Sequence, residues 1–133
     1  MDLDAARSFI GDNHQAVMAT MRGDGRPQMS AVSIGVDAEG RGIVSSTEAT
    51  VKVRNLRRDP RVSVFVMNPQ FYGPWIQIDG TATVVSMPEA LELLVDYYRR
   101  VAGDHPDWDE YRQAMVDQQR VLVRIDIERA GPG

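Results

Sequence analysis

The residues whose types and spacing could do chemistry gather in one stretch, Ser45-Ser46-Thr47-Glu48-Ala49-Thr50-Val51-Lys52-Val53-Arg54-Asn55-Leu56-Arg57-Arg58-Asp59-Pro60. Three hydroxyls open it, and Lys52 is the only lysine among 133 residues. Five of the fifteen basic residues fall between Lys52 and Arg61, although the chain carries a net charge of -4. Positive charge concentrated at a helix start on an acidic chain suits a bound anion, most simply a phosphate. The first amide N–H groups of a helix lack intrahelical acceptors, and the helix dipole is positive there. Ser45 and Glu48 have the S-x-x-E spacing of a capping box, which predicts that the helix begins at about that point. Ala49, Val53 and Leu56 recur at i, i+4 and i+7, so the same pattern predicts one inward face with the arginines outward. The ordinary role of a basic helix face is a solvated surface, and the Glu48 carboxylate competes with an anion for first-turn amides.

Other chemistries find little support. With no cysteine, the chain has no disulfide, thiolate metal site or cysteine nucleophile. His14 and His105 are too few and too scattered for a histidine metal site. G-x-S-x-G, Walker-type, G-x-G-x-x-G and H-E-x-x-H motifs are missing, so an enzyme built on this chain must borrow its chemistry from a cofactor. Nucleic-acid binding through Arg54, Arg57, Arg58 and Arg61 is disfavoured by the acidic total and by the lack of interleaved aromatics. No run of about 18 apolar residues exists, so no membrane span is expected. The start, Met1-Asp2-Leu3-Asp4, is acidic where a signal peptide is basic, which makes the cytoplasm the expected location.

These residues must be positioned by one domain, 1–133, long enough to bury roughly two-thirds of its unfolded surface. Leu3–Gly11 reads as a short helix. Gln15–Arg22 and Gln28–Val36 read as strands joined by Gly23-Asp24-Gly25-Arg26-Pro27, with Asp24-Gly25 expected to supply positive φ angles. Gly42–Ser46 leads into the basic helix, which Pro60 closes, and Val62–Asn68 follows as a fourth strand. After a Pro/Gly loop bearing Phe71 and Tyr72, Trp75–Val85 alternates with Ile76, Ile78, Ala82 and Val84 on one face. Ser86 and Glu89 form a second S-x-x-E box before a helix with Leu91, Leu94, Val95 and Tyr98 as its buried stripe and Gly103 at its end. Asp107–Gln118 is another helix, and Val121–Glu128 a last strand of valine or isoleucine against charge. Six strands joined largely by hairpins predict an α+β fold whose antiparallel sheet closes into a small barrel. Met29, Ala31, Ser33 and Gly35 make one face of the second strand shallow. Such a face admits a planar ring or another backbone, and ordinary barrel packing explains it nearly as well.

In this order of elements the chain resembles the pyridoxamine 5′-phosphate oxidase-like split β-barrel family, within it the small single-domain proteins that use the deazaflavin coenzyme F420. The resemblance rests on Ala19-Thr20, on Asp24-Gly25-Arg26-Pro27-Gln28-Met29-Ser30, and on Lys52-Val53-Arg54-Asn55-Leu56-Arg57-Arg58-Asp59-Pro60. Gly80-Thr81-Ala82 and Asp107-Trp108-Asp109-Glu110-Tyr111-Arg112-Gln113-Ala114-Met115-Val116 complete it. It implies a six-stranded antiparallel split β-barrel with peripheral helices, and a homodimer with cofactor sites in grooves at the subunit interface. It places Ser45, Ser46 and Thr47 beside the cofactor tail and Lys52 at its phosphate. Gln28 and Ser30 would lie near the ring system, joined by Trp75 and Gln77 from the second subunit. Thr50 is a departure, because the family's arginine two residues before the lysine is missing. That phosphate contact is expected to be weaker, or rerouted through Arg54.

The expected function is therefore a reductase that moves hydride from reduced F420 to an electrophilic small-molecule acceptor. Tyr72 or water would protonate the product, and no dedicated catalytic residue is identified. The alternatives are an FMN-binding oxidase or flavoprotein of the same fold, and a non-catalytic ligand-binding or redox-sensing dimer.

Overall fold

Helix α1 (Leu3–Asp12) begins where Asp2 accepts the Ala5 N–H at 2.8 Å, and it buries Ala6 and Ile10. The computed structural model describes residues 1–131. Strands β1 (Gln15–Met21) and β2 (Pro27–Val36) form the first hairpin, closing at Met21 opposite Pro27. In its turn only Gly25 has positive φ, at 86°; Asp24 instead accepts the Arg26 N–H through its side chain, correcting the expectation for that pair. Strand β3 (Gly42–Thr47) runs into helix α2 (Val51–Arg58), which is followed by β4 (Arg61–Met67) and β5 (Trp75–Val85). Helices α3 (Ala90–Ala102) and α4 (Trp108–Asp117) then precede β6 (Arg120–Gly131).

The six strands are antiparallel and close into a barrel in the order β1-β2-β3-β6-β5-β4. Period-two alternation sends Met18, Ile34, Val44, Val64, Val66, Ile76, Ile78, Val123 and Ile125 inward, all fully buried. Each such side chain contributes about 1.5–3 kcal/mol by leaving water. A second core fills the space between the α3–α4 pair and the outer barrel wall, where Ile43 and Leu122 meet Leu94, Val95, Tyr97, Tyr111 and Met115. Gly42–Val44 and Val121–Val123 are thus buried on both faces, which an alternating pattern does not anticipate. Among the described residues no helix is long and apolar enough to cross a membrane.

Four local expectations are corrected. The basic helix starts at Val51 with Thr50 as its cap, not at Ser45. Ser45, Ser46 and Thr47 are instead extended, opposite Leu122, Val121 and Arg120. Ala49 precedes the helix and is exposed, so the inward face is Val53, Asn55 and Leu56. Ser86 does not cap α3; the residue at its N-cap position, Glu89, makes no side-chain cap. Ser86 donates to Glu48 at 2.9 Å and accepts from Arg57, and Arg57 pairs with Glu48, so both S-x-x-E serines and Glu48 serve other ends. Along α3 the buried stripe includes Ala90 and Tyr97, while Leu91 and Tyr98 are partly buried beside it.

Candidate functional site

Where β3 ends, its hydroxyls interlock with the start of α2. Thr50 Oγ1 donates to the Thr47 carbonyl at 3.0 Å and accepts the Val53 N–H at 3.4 Å. The buried Ser46 hydroxyl lies 3.0 Å from the same oxygen. Thr50 is therefore the residue that stops β3 and starts the helix. The Val51 and Lys52 amides find no acceptor among the described residues, the ordinary condition of a first turn open to a ligand.

Lys52 leaves that turn half-buried and reaches β2, where Nζ donates to Ser30 Oγ at 3.1 Å. Its pKa lies below the usual 10.5, first because burial penalises the charged form and second because Arg120 adds like charge. Neither Lys52 nor Arg120 has a carboxylate within ion-pair distance among the described residues.

Both cations line a cavity of about 540 Å³. Ala31, Val32 and Ser33 of β2 and Ser45, Ser46 and Thr47 of β3 form one wall, continued by Thr50 at the foot of α2. Tyr97 and Tyr98 of α3, with Tyr111, Met115 and Gln118 at α4, form the other. Among the described residues no carboxylate lines it. Tyr97 donates to the Ser33 carbonyl at 2.8 Å and Tyr111 to the Leu94 carbonyl at 2.9 Å. Burial pushes both phenols up, that of Tyr111 to about 12, so both stay protonated with their hydrogens committed to backbone.

Of the residues singled out in the sequence, Ser45, Ser46, Thr47, Thr50 and Lys52 share this cavity, and Ser30 joins it through Lys52. Arg54 is exposed on α2 and does not line it. Gln28 also lies outside the lining, its Oε1 accepting from Thr20 at 3.4 Å. Thr20 in turn accepts from the buried Asn55 at 3.1 Å. Trp75 and Gln77 line a different cavity of about 610 Å³ with Asp2, Asp79, Glu128 and Arg129, in which Arg129 pairs with Asp79. Trp75 stacks on Phe65 at 5.1 Å, and Tyr72 is 96% exposed. Sequence reasoning missed Arg120, Tyr97, Tyr111 and Gln118. Arg120 sits at the start of an alternating strand, where a charge ordinarily marks the outer face.

Hydroxyls, open amides and two unpaired cations in a carboxylate-free groove can bind a phosphate and hold the molecule it belongs to. Known proteins resemble the chain over most of its length. It is 27% identical over 127 residues to the F420H(2)-dependent biliverdin reductase of Mycobacterium tuberculosis (strain CDC 1551 / Oshkosh), across 95% of this chain and 84% of that protein. Its fold matches the crystal structure of a conserved hypothetical protein from Mycobacterium tuberculosis with a TM-score of 0.79 and 28% identity, covering 98% and 82% of the two chains. It also matches a structure described as F420 reductase with a TM-score of 0.73 and 21% identity, covering 94% of each chain, a likeness of fold alone. The sequence pattern of the pyridoxamine 5′-phosphate oxidase family extends over residues 3–131, from the first residue of α1 to the last of β6. The chain belongs to the pyridoxamine 5′-phosphate oxidase family.

Proposed function

We propose that this chain is an oxidoreductase that binds coenzyme F420 by its phosphate in the Lys52 cavity and uses the reduced form to reduce an electrophilic organic acceptor. The observation that carries this reading is the pairing of Lys52 with β3 hydroxyls, beside the start of α2, in a groove without carboxylates. Similarity to an F420H(2)-dependent biliverdin reductase supports the choice of deazaflavin. FMN is the second reading, since it too carries a phosphate for the Lys52 cavity to hold.

When bound, the reduced deazaflavin supplies the hydride; the chain supplies position and shelter from water. Lys52 and the first amides of α2 hold the phosphate, with Ser45, Ser46 and Thr47 beside the tail. Ser30, tied to Lys52, and Gln28, tied to Thr20, carry the site along β2 toward the ring. Tyr97 and Tyr111 do not donate protons, since theirs are spent on backbone carbonyls. Protonation of the product falls to water or Tyr72.

Titration of the purified chain with F420 and with FMN, followed by single-turnover oxidation of the reduced cofactor by a panel of acceptors, tests the reading. Micromolar or tighter F420 binding and acceptor-dependent oxidation are the expected results. Binding of neither cofactor would remove the assignment, and FMN binding alone would move it to the second reading.

Trp75 and Gln77 lie in the other cavity of their own protomer, so a role at the cofactor would require a second copy of the chain. Met29, Phe71 and Tyr72 are 65%, 76% and 96% exposed, and covering such apolar side chains favours association. The expected assembly is a homodimer burying on the order of 2,000 Å² or more. Light scattering should return twice the 14.8 kDa chain mass; a stable folded monomer at micromolar concentration would refute the dimer.

A further inference from the structure

The geometry points to Arg120 as a second phosphate-binding residue of the Lys52 cavity, contributed by the first residue of β6. This rests on the reading of that cavity as the seat of a cofactor phosphate.

Arg120 Nε is buried and has no hydrogen-bond partner. Buried polar groups are ordinarily satisfied, so a buried guanidinium N–H without an acceptor is costly. Among the described residues its neighbours in the cavity include no carboxylate. Tyr97 and Tyr111 face it as donors already committed to carbonyls, and Lys52 faces it as another cation. Arg120 also borders a neighbouring cavity of about 340 Å³, whose one carboxylate among the described residues, Glu48, is held by Arg57 and Ser86. Two cations therefore share one groove, and the partner that suits both is an anion.

A phosphate matches these donors in charge and shape. The planar guanidinium presents several N–H groups to oxygen at once, whereas Lys52 offers a point charge. Pairing opposite Thr47 sets Arg120 against the end of β3, next to the turn that opens α2. Lys52 and Arg120 thus share one groove beside the start of α2, which restrains a phosphate more than either could alone.

The test titrates inorganic phosphate and then F420 into nitrogen-15-labelled protein while following arginine Nε–H resonances. The parent chain is compared with Arg120→Gln and Arg120→Lys. Phosphate should shift the Arg120 signal, and Arg120→Gln should weaken phosphate and F420 binding by about tenfold or more, the scale of losing a hydrogen bond to a charged group. Arg120→Lys should recover part of the loss. Without phosphate, Arg120→Gln should melt no lower than the parent, since it removes an unpaired cation. An unshifted Nε with unchanged phosphate affinity would overturn the proposal, as would a lowered melting point with unchanged affinity. Arg120-dependent phosphate binding with neither cofactor bound would keep this site and remove the proposed function. F420 binding indifferent to Arg120→Gln would do the reverse.

Discussion

Lys52→Ala should weaken F420 binding by about 1.5–3 kcal/mol, the scale of a hydrogen bond to a charged group, while barely changing the stability of the free protein. Two opposing effects explain the second half. The substitution removes one bond, to Ser30, and also removes a half-buried cation that stands near Arg120. The lowered pKa carries the same information. Because the folded state holds the Lys52 proton less tightly than the unfolded chain, the cost is fully present below the folded pKa. It is relieved as pH rises through that value toward the ordinary 10.5. Cofactor affinity should run the opposite way, falling as pH rises through the lowered pKa, and this decline should vanish in Lys52→Ala. Fluorescence titration across alkaline pH, paired with thermal melts, checks both. A melting point that drops while affinity is unchanged would make Lys52 a structural residue and place the phosphate elsewhere.

Gly80→Ala should cost about 3 kcal/mol or more of stability, the upper range of overpacking. Gly80 faces the barrel interior at the bulge between Asp79 and Gly80, where β5 pairs with β6. A Cβ there would stand 2.2 Å from the Asp126 carbonyl oxygen and 2.9 Å from Ile125 Cγ2. The first neighbour is backbone, so relief requires the two strands to part. Gly11→Ala is the matched control, since nothing lies within 4 Å of its added carbon and α1 is helical there. That change should gain about 0.5–1 kcal/mol. Urea unfolding should show a lowered midpoint for Gly80→Ala at a similar slope. A midpoint equal to the parent's would mean that the strands do not approach so closely at Gly80.

The period-two pattern of Trp75–Val85 and the helix of Asp107–Gln118 were legible in the amino-acid order, because each is a local rule repeated along the chain. So were the antiparallel barrel, from strands separated mostly by turns, and the gathering of hydroxyls around Lys52. Local rules misled where a distant segment supplied the partner. Ser45 has the spacing of a cap, yet the ladder to Leu122, Val121 and Arg120 keeps Ser45–Thr47 extended, and the cap passes to Thr50. Backbone pairing satisfies several groups where a capping serine satisfies one, so the longer-range contact wins. The same ladder brings Arg120 to Lys52, though 67 intervening positions hide the meeting from any periodicity. Tyr97 and Tyr111 enter the site because α3 and α4 pack together over the outer faces of β3 and β6. Composition and spacing determined which elements form and which residues could hold a phosphate. Burial between elements remote in sequence decided which of those residues share a cavity.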